Sequence, residues 1–329
     1  MKPFRILLTL LAAALGAPLA AACLGEDIRD TFSAQDKAAI QAELAGIPYN
    51  SGNHWIARKN GRQIHFVGTM HFNDARMDAV AENLIPVLSG ADAVLFETTT
   101  ADMETFQKSL AADMSPVLIA NGPTLPELMT DDGWARLSEI TRKNGIPPWM
   151  AAKMRPWFLS TVLAVPACLR NSPNPDYGLD RRIGEIAETL GIPQVSLEAV
   201  ETVIAVFDKH PLEEQVRMIE LTIDMMGGSE NDMFTMAQAY FEERPAEAML
   251  ALEMSARQKN RMPADAFDAL LKDFRHDILT LRNRNWMPVI LNQPGDRIVV
   301  AVGAAHLSGD AGLLQFMKNQ GYRLERARF

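Results

Sequence analysis

The sequence predicts an α/β fold, with a mostly parallel central sheet flanked by helices and a helical insertion. Short apolar and β-branched runs alternate with amphipathic helical periodicity near the start of the chain, and the alternation returns in its middle and at its end. Strand, helix, strand units of this kind join parallel strands through right-handed crossovers. A long stretch of almost uninterrupted helical periodicity precedes the last strands.

The first unit lies between residues 64 and 96. Ile64–Gly68 is an apolar run typical of a buried strand, and Asp74–Leu88 has apolar residues at helical spacing. Ala93–Phe96 is a second buried strand. We therefore expect two parallel strands of one sheet, with the helix packed on one of its faces.

The same pattern recurs further along the chain. A helix is predicted over Leu179–Leu190, and it leads into the strand Gln194–Leu197. Near the end, Arg297–Val302 is a fourth strand, followed by a helix over Asp310–Asn319 and a last strand from Tyr322. These elements extend the predicted sheet.

The helical region from about 201 to 284 is too long for a simple crossover. We expect an insertion that packs beside the sheet, covers its edge or serves as a lid. Gly145–Trp157 contains three prolines and is expected to shape a loop rather than a domain boundary. No repeat or flexible linker divides the chain, so the expected organisation is a signal peptide over residues 1–22 and a single domain over 23–329.

The N-terminus has the three-part layout of a secretory signal peptide. Lys2 and Arg5 precede the apolar run Ile6–Leu15, and the small residues Ala20–Ala22 before Cys23 fit a cleavage site. The apolar run is shorter than the roughly 20 residues of a membrane-spanning helix, which favours cleavage over a membrane anchor. We expect an exported protein, periplasmic or secreted. A lipoprotein ranks second, because alanine stands where a lipidation signal favours leucine.

The charge of the chain restricts the partners that it is expected to have. The formal net charge is -9 and no block of Lys or Arg follows the signal, so nucleic acid is not an expected partner. No later segment is apolar enough to cross a membrane.

The chain has two cysteines, Cys23 and Cys168. An even count in an oxidising compartment predicts a Cys23–Cys168 disulfide, with two unpaired thiols as the alternative.

Two histidines follow two predicted strands in the same way. The strand ending at Gly68 continues as Gly-Thr-Met-His to His71, and the strand ending at Val302 continues as Gly-Ala-Ala-His to His306. In each turn the glycine is expected to let the chain leave the strand sharply. The imidazole is then presented just beyond the carboxyl end of the strand.

Two carboxylates occupy equivalent positions, because Glu97 and Glu198 each follow a predicted strand. Ligands bind at the carboxyl edge of an open parallel sheet, so His71, His306 and one or both glutamates are expected to converge there. Histidine nitrogen and carboxylate oxygen together suit a divalent transition metal such as zinc, manganese or cobalt.

Each of these residues also has a simpler interpretation. A single histidine after a strand is more often a loop or capping residue, and the matching contexts of the pair are what favour a functional site. Glu97 could instead interact with the start of the next helix, and Glu198 with a helix dipole. The remaining histidines lack this setting and are interpreted as structural or surface residues: His54, His65, His210 and His276.

These motifs resemble those of the TraB/GumN family, which is grouped with the Tiki proteases and the erythromycin-esterase and ChaN-like proteins in one superfamily. The motifs that carry the resemblance are Val67–His71, Leu95–Glu97, Lys153–Trp157, Gly178–Asp180, Leu197–Glu198, Arg282–Trp286 and Val302–Leu307. The resemblance implies an erythromycin-esterase/ChaN-like fold and an active-site core of His71, Glu97 and His306. Since Tiki members are metal-dependent peptidases, it also implies hydrolysis assisted by a divalent ion.

We hypothesise a mechanism on this basis. His71 and His306 would hold the metal with Glu97 or Glu198, and the ion would lower the pKa of a bound water toward about 7. A free carboxylate would act as general base. The substrate would be a peptide or another small molecule. Three side chains are candidates for stabilising the oxyanion: Arg282, Arg155 and Asn285. Arg282, together with Arg284, could instead form surface ion pairs on a helix.

A rival hypothesis is a periplasmic ligand-binding protein without turnover. ChaN-like relatives are associated with haem iron, which histidines also ligate, and GumN-like relatives are named for an exopolysaccharide gene cluster. The sequence has no Cys-x-x-Cys-His motif, which rules out only covalently attached haem.

Overall fold

A computed structural model describes residues 25–165, 167–170, 174–226, 229–260 and 262–329. The predicted signal peptide, residues 1–22, and Cys23 lie outside the described residues. The strands are β1 His54–Lys59, β2 Arg62–Thr69, β3 Ala93–Phe96, β4 Gln194–Ser196, β5 Arg297–Gly303 and β6 Arg323–Arg326. The helices are α1 Ile28–Thr31, α2 Ala34–Ala45, α3 Met77–Leu88, α4 Thr100–Ala112, α5 Leu125–Leu128, α6 Asp131–Lys143, α7 Pro148–Ala151, α8 Pro156–Ala164, α9 Ala167–Arg170, α10 Leu179–Thr189, α11 Val200–Asp208, α12 Leu212–Met226, α13 Ser229–Phe241, α14 Pro245–Lys259, α15 Ala264–Arg275, α16 Arg282–Asn292 and α17 Leu313–Asn319.

The described strands form one sheet in the order β4-β3-β5-β2-β1-β6. Neighbouring strands run parallel from β4 to β2. In contrast, β1 is antiparallel to both of its neighbours, β2 and β6. The predicted fold class, a mostly parallel sheet flanked by helices, is confirmed.

The register of the parallel strands aligns their carboxyl ends. Thr69, the last residue of β2, lies opposite Gly303, the last residue of β5. Phe96, the last residue of β3, pairs with Ala301 of β5 and with Ser196, the last residue of β4. The residues that follow these four strands therefore leave the sheet at one common edge.

The sequence interpretation missed β1. This strand forms a hairpin with β2 through Asn60 and Gly61, which both have positive φ angles, 51° and 85°. Positive φ at both central residues is the requirement of a type I′ turn, and Asn-Gly is its commonest sequence. The dipeptide was therefore an available signal for the missed strand.

Helices cover both faces of the sheet. On one face α16 and α17 pack against it, and Trp286 is fully buried beside Phe66 and Val300. On the other face α3 and α10 cover the alternate residues of the same strands, including Val67 and Val299. Because successive strand residues point to opposite faces, strands covered on both faces are apolar throughout. That is why these strands appear in the sequence as continuous apolar runs.

The region between β4 and β5 is helical in its described part, as predicted. Helices α11 to α15 lead through a π-helical segment, His276–Leu281, directly into α16. Helix α12 of this region packs against three helices that precede β4, namely α5, α6 and α8. Together they form a separate apolar core in which Ile219, Leu137 and Leu159 are buried. By contrast, α13 reaches the sheet, and its Tyr240 is buried in the core that covers one face. In the described part of the chain, no helix is both long and apolar enough to span a membrane.

Several predicted boundaries differ from the structure. Helix α3 begins at Met77 rather than at Asp74. Helix α17 begins at Leu313 rather than at Asp310, because Gly312 has extended backbone and forms the N-cap. The predicted loop Gly145–Trp157 contains α7 and the first residues of α8. Both helices have proline within their first two positions, where the missing amide hydrogen is tolerated.

Candidate functional site

Three of the predicted residues meet at the carboxyl edge of the sheet. The Oε1 atom of Glu97 lies 4.0 Å from Nε2 of His71 and 3.7 Å from Nε2 of His306. Glu97 follows β3, while His71 and His306 follow β2 and β5, and these three strands are neighbours. The strand register therefore brings together side chains that are far apart in the sequence.

Both Gly-x-x-His turns need glycine for space rather than for backbone freedom. Neither Gly68 nor Gly303 has a positive φ, so the expectation that glycine permits a sharp turn is wrong at these positions. A Cβ at Gly68 would lie 3.0 Å from the Cα of Ala304, because the two turns pack against each other. A Cβ at Gly303 would lie 3.2 Å from Oε1 of Glu97 and 3.8 Å from Nε2 of His71. Gly303 thus keeps open the space between the glutamate and the histidines.

Asn283 fixes the orientation and the tautomer of the His306 ring. The Asn283 amide donates to the backbone oxygens of His306 and Ala311, at 3.2 and 2.8 Å. Its Oδ1 therefore accepts the hydrogen of Nδ1 of His306, at 2.7 Å. The Nε2 atom keeps its lone pair, towards which Nη1 of Arg282 donates at 3.5 Å. Trp286 packs against the ring, with the ring centres 4.5 Å apart.

The two histidines have opposite pKa shifts. Desolvation lowers the pKa of His306 to about 4, in spite of the neighbouring Glu97 carboxylate. The His71 ring is 57% exposed, and its Nδ1 lies 3.2 Å from Oδ1 of Asp180. Desolvation opposes the charged form of His71 too, but the carboxylates of Asp180 and Glu97 outweigh it and raise the pKa to about 9. Without a bound metal, His306 is neutral and His71 protonated at pH 7.

Arg282 joins the two glutamates. Its Nη2 lies 2.6 Å from Oε2 of Glu97 and 2.5 Å from Oε1 of Glu198, and its Nε donates to the same Glu198 oxygen at 2.7 Å. The Glu198 side chain is 4% exposed, so the guanidinium compensates a buried charge. Glu198 is therefore bound to Arg282 and does not approach the histidines as Glu97 does.

The same guanidinium affects the ionisation of Glu97. Desolvation by itself raises the pKa of this carboxyl group. Three positive charges, on His306 at low pH, on Arg282 and on His71, outweigh desolvation together with the Gly303 amide 2.8 Å from Oε1. They hold the pKa of Glu97 well below its usual range. Glu97 is therefore a carboxylate at neutral pH and presents a negative charge between the two histidines.

The chemical types of the donor atoms at this edge fit a divalent transition metal. They are two imidazole nitrogens and one carboxylate oxygen; Asn283 accepts a hydrogen bond from Nδ1 of His306, and the Asp180 carboxylate lies 3.2 Å from Nδ1 of His71. Their spacings of 3.7 and 4.0 Å exceed the roughly 3.4 Å between ligands of a tetrahedral ion with bonds of about 2.1 Å. As they stand, no three His, Cys, Asp or Glu side chains of the described residues could hold a metal ion. The chemistry of the donors, rather than their present spacing, fits the metal.

Two residues predicted to stabilise an oxyanion are placed differently. Arg155 forms an ion pair with Asp208 at 2.5 Å. Asn285 is exposed on α16, two residues beyond the buried Asn283. These positions give no support to an oxyanion role, whereas Arg282 lies within the site.

Two site residues were not assigned a role from the sequence: Asp180 and Asn283. Both lie in motifs that contributed to the family resemblance, Gly178–Asp180 and Arg282–Trp286, and that was the available signal. Their roles follow from ring-nitrogen contacts across distant elements, which spacing along the chain does not reveal. The histidines interpreted as structural include His54 and His65, whose rings contact each other across β1 and β2 at 3.0 Å.

Comparison with known proteins adds the family context. The model of the TraB/PrgY/gumN family matches residues 53–326, a range that contains the six strands of the described residues and every residue of the site. The chain is similar to the uncharacterized protein YbaP of Escherichia coli (strain K12), with 23% identity over 273 residues, which cover 81% of this chain and 94% of the relative. The YbaP protein of Shigella flexneri is similar to the same extent.

Proposed function

The chain belongs to the TraB/PrgY/gumN family, and we propose that it is an exported metal-dependent hydrolase of the peptidase type. The observation that chiefly supports the proposal is the convergence of both Gly-x-x-His turns on Glu97. Such a donor set, with each imidazole oriented by a second residue, is what a catalytic divalent ion requires. When bound, the ion would polarise a substrate carbonyl and generate a water-derived nucleophile.

The residues that would hold the ion are His71, Glu97 and His306. The lone pair on Nε2 of His306 is fixed by Asn283, so this nitrogen needs no proton loss to become a ligand. His71 is protonated at neutral pH, so metal binding there would release a proton. The identity of the ion, whether zinc, manganese or cobalt, belongs to the same proposal.

The chain's other site residues have distinct roles in this proposal. Arg282 bridges Glu198 and one oxygen of Glu97, and its Nη1, 3.5 Å from Nε2 of His306, would donate to an oxyanion that develops beside His306. Glu198 holds the guanidinium in position from a buried site. Access is from the side of His71, whose ring is 57% exposed while that of His306 is 5% exposed. A peptide or another small substrate would therefore approach past His71.

Export and the periplasmic or secreted location are part of the proposal and rest on the predicted signal peptide. A hydrolase with this site and an N-terminal export signal would act on substrates outside the cytoplasm. Cleavage after Ala22 is expected to leave Cys23 as the new N-terminus. N-terminal sequencing of protein recovered from the periplasmic or culture fraction tests this directly.

Metal content is the decisive measurement. Mature protein, His306→Ala and the control His276→Ala would be dialysed against zinc, manganese, cobalt and iron and analysed by mass spectrometry. His276 is exposed in the π-helical segment and is not one of the proposed ligands. We expect about one equivalent of divalent metal in the native protein and in the control, and loss of it in His306→Ala. A chelator should then abolish hydrolysis of a peptide library, and the metal should restore it.

No metal in any of the three proteins would contradict the hydrolase proposal. The same preparations distinguish the ligand-binding alternative, since added haemin would produce a Soret band in a haem-binding protein. A Soret band that disappears in His306→Ala, without divalent metal or hydrolysis, would favour a binding protein for haem iron.

A further inference from the structure

His71 and His306 are held in place by different means. His306 is buried and contacts both Asn283 and Trp286 through its ring. The His71 ring is 57% exposed and has the Asp180 carboxylate beside Nδ1. Besides Asp180, the position of His71 depends on the backbone that carries it: the segment 68–76, from the last two residues of β2 to the residue before α3, which we call the His71 turn.

Helix α13 holds the His71 turn at its start. The hydroxyl of Tyr240 donates to the backbone oxygen of Gly68 at 2.9 Å, and Tyr240 is 3% exposed. The backbone oxygen of Tyr240 accepts from the side chain of Asn53 at 2.8 Å, and the backbone oxygen of Asn53 accepts from the Gly68 amide at 2.6 Å. Both polar groups of the Gly68 backbone thus bind partners connected to Tyr240.

The same helix holds the far end of the turn. Arg76 donates to Oε1 of Gln238 at 2.5 Å, and its guanidinium lies 4.0 Å from the centre of the Phe241 ring. Gln238, Tyr240 and Phe241 lie close together at the end of α13. Two ends of one turn are therefore fixed by one short stretch of the helical region that follows β4.

We propose that Tyr240 is a positioning residue of the site, which fixes the His71 turn so that the imidazole faces Glu97. A buried tyrosine hydroxyl requires a partner, and the Gly68 oxygen provides it, so the contact specifies one placement of α13 against β2. The consequence for catalysis rests on the function proposed above, but the positioning itself is measurable without substrate. The helical region would then contribute to the site without supplying a ligand.

The test compares Tyr240→Phe with Tyr322→Phe. Each variant removes one hydroxyl and keeps the ring. The Tyr322 ring lies beside Lys59, which pairs with Arg62 at the start of β2. The His71 turn lies at the other end of β2, so the control alters the opposite edge of the sheet. We expect amide hydrogen exchange in residues 68–76 to be about fivefold to tenfold faster in Tyr240→Phe, the change typical of one lost hydrogen bond, and unchanged in the control.

Two further readouts separate positioning from general stability. Histidine-selective NMR should show an altered ring signal for His71 and an unaltered one for His306 in Tyr240→Phe. Titration with Co²⁺, followed by visible absorption, should show about tenfold weaker binding in Tyr240→Phe than in the native protein and in Tyr322→Phe. The melting temperatures of the two variants should differ little.

Each outcome bears on one proposal. Unchanged exchange and an unchanged His71 signal would overturn the positioning role of Tyr240. Equal Co²⁺ affinity in the native protein and Tyr240→Phe would overturn its relevance to the metal site. Faster exchange and an altered His71 signal, with no Co²⁺ bound even by the native protein, would support the positioning role and contradict the proposed metal-dependent function.

Discussion

The Oδ1 atom of Asn283 lies 2.7 Å from Nδ1 of His306, which ties the turn after β5 to the first turn of α16. The same helix carries Arg282, which bridges the two glutamates, and Trp286, which packs against the histidine ring. Orientation, charge and packing at the site therefore all depend on how α16 lies on the sheet. A π-helical segment directly precedes Arg282, and such segments are frequent at functional sites.

The first prediction concerns Asn283→Ala. The substitution leaves the His306 and Ala311 oxygens and Nδ1 of His306 without their buried partner, so we expect the free energy of unfolding to fall by about 1–3 kcal/mol. Nitrogen NMR should show both tautomers of the His306 ring, and divalent metal affinity should fall about 10-fold to 100-fold. Asn285→Ala, exposed on the same helix, is the control. Equal stability of the two variants would contradict the role assigned to Asn283.

The second prediction concerns the bridge between the glutamates. Arg282→Ala leaves Glu97 and Glu198 without their common counter-charge, and the Glu198 side chain is only 4% exposed. We therefore expect the free energy of unfolding to fall by about 3–5 kcal/mol. Denaturant titration measures this change. Arg284→Ala, which removes an exposed arginine two residues away, should change stability by less than about 0.5 kcal/mol. A small effect of Arg282→Ala would mean that water compensates both carboxylates and that the bridge is not structural.

The parts of this site that could be predicted are those fixed by strand ends. The apolar runs before His71, Glu97 and His306 identified the strands, and parallel pairing then required the three side chains to share one edge. Nothing in the local sequence required Asn283 rather than Asn285 to face the site, because that choice depends on the rotation of α16 about its axis. The contact of Tyr240 with the turn after β2 depends likewise on packing across 172 residues of chain.

The third prediction uses the space beside Gly303. Its φ of -49° and ψ of 134° suit any residue, so Gly303→Ala should change the free energy of unfolding by no more than about 1 kcal/mol. The new methyl group would lie 3.2 Å from Oε1 of Glu97, between the proposed ligands. Co²⁺ affinity and any hydrolysis should therefore fall at least tenfold. In the control Gly184→Ala the added atom meets nothing nearer than 3.4 Å. If Gly303→Ala bound Co²⁺ as tightly as the native protein, the ion would not lie between Glu97 and the two histidines.

The fourth prediction is the Cys23–Cys168 disulfide, which stays a prediction because Cys23 lies outside the described residues. Cys168 packs in a cluster with Met233 of α13, and a Cβ at Gly25 would lie 2.9 Å from the Cβ of Phe234 on the same helix. The chain two residues after Cys23 therefore passes the helix that Cys168 contacts. Peptide mapping without reductant should recover the linked pair. Reduction, or Cys168→Ser, should lower stability by on the order of 4 kcal/mol, and equal stability with and without reductant would argue for two thiols.

The fifth prediction is a pH dependence that originates in the His54–His65 contact. Nδ1 of His54 donates to the backbone oxygen of Arg328 at 2.6 Å, so its Nε2 must accept from Nδ1 of His65 at 3.0 Å. A proton added to Nε2 of His54 would face the hydrogen already on His65. Desolvation, with the nearby charges of His54 and Arg58, lowers the pKa of His65 to about 4, and burial lowers that of His54 as well.

The sign of the effect follows from these shifts. In the unfolded chain a histidine titrates near about 6.5, so between pH 6.5 and 4 the unfolded state binds more protons than the folded state. The contribution of the pair to stability is therefore complete above about pH 6.5 and is lost as the pH falls towards 4. The pair should thereby lower the free energy of unfolding of the native protein by on the order of 1–2 kcal/mol. Between pH 7.5 and 5, the free energy of unfolding should fall less in His65→Gln than in the native protein and in the control His276→Gln. Identical decreases in all three proteins would show that the pair titrates normally.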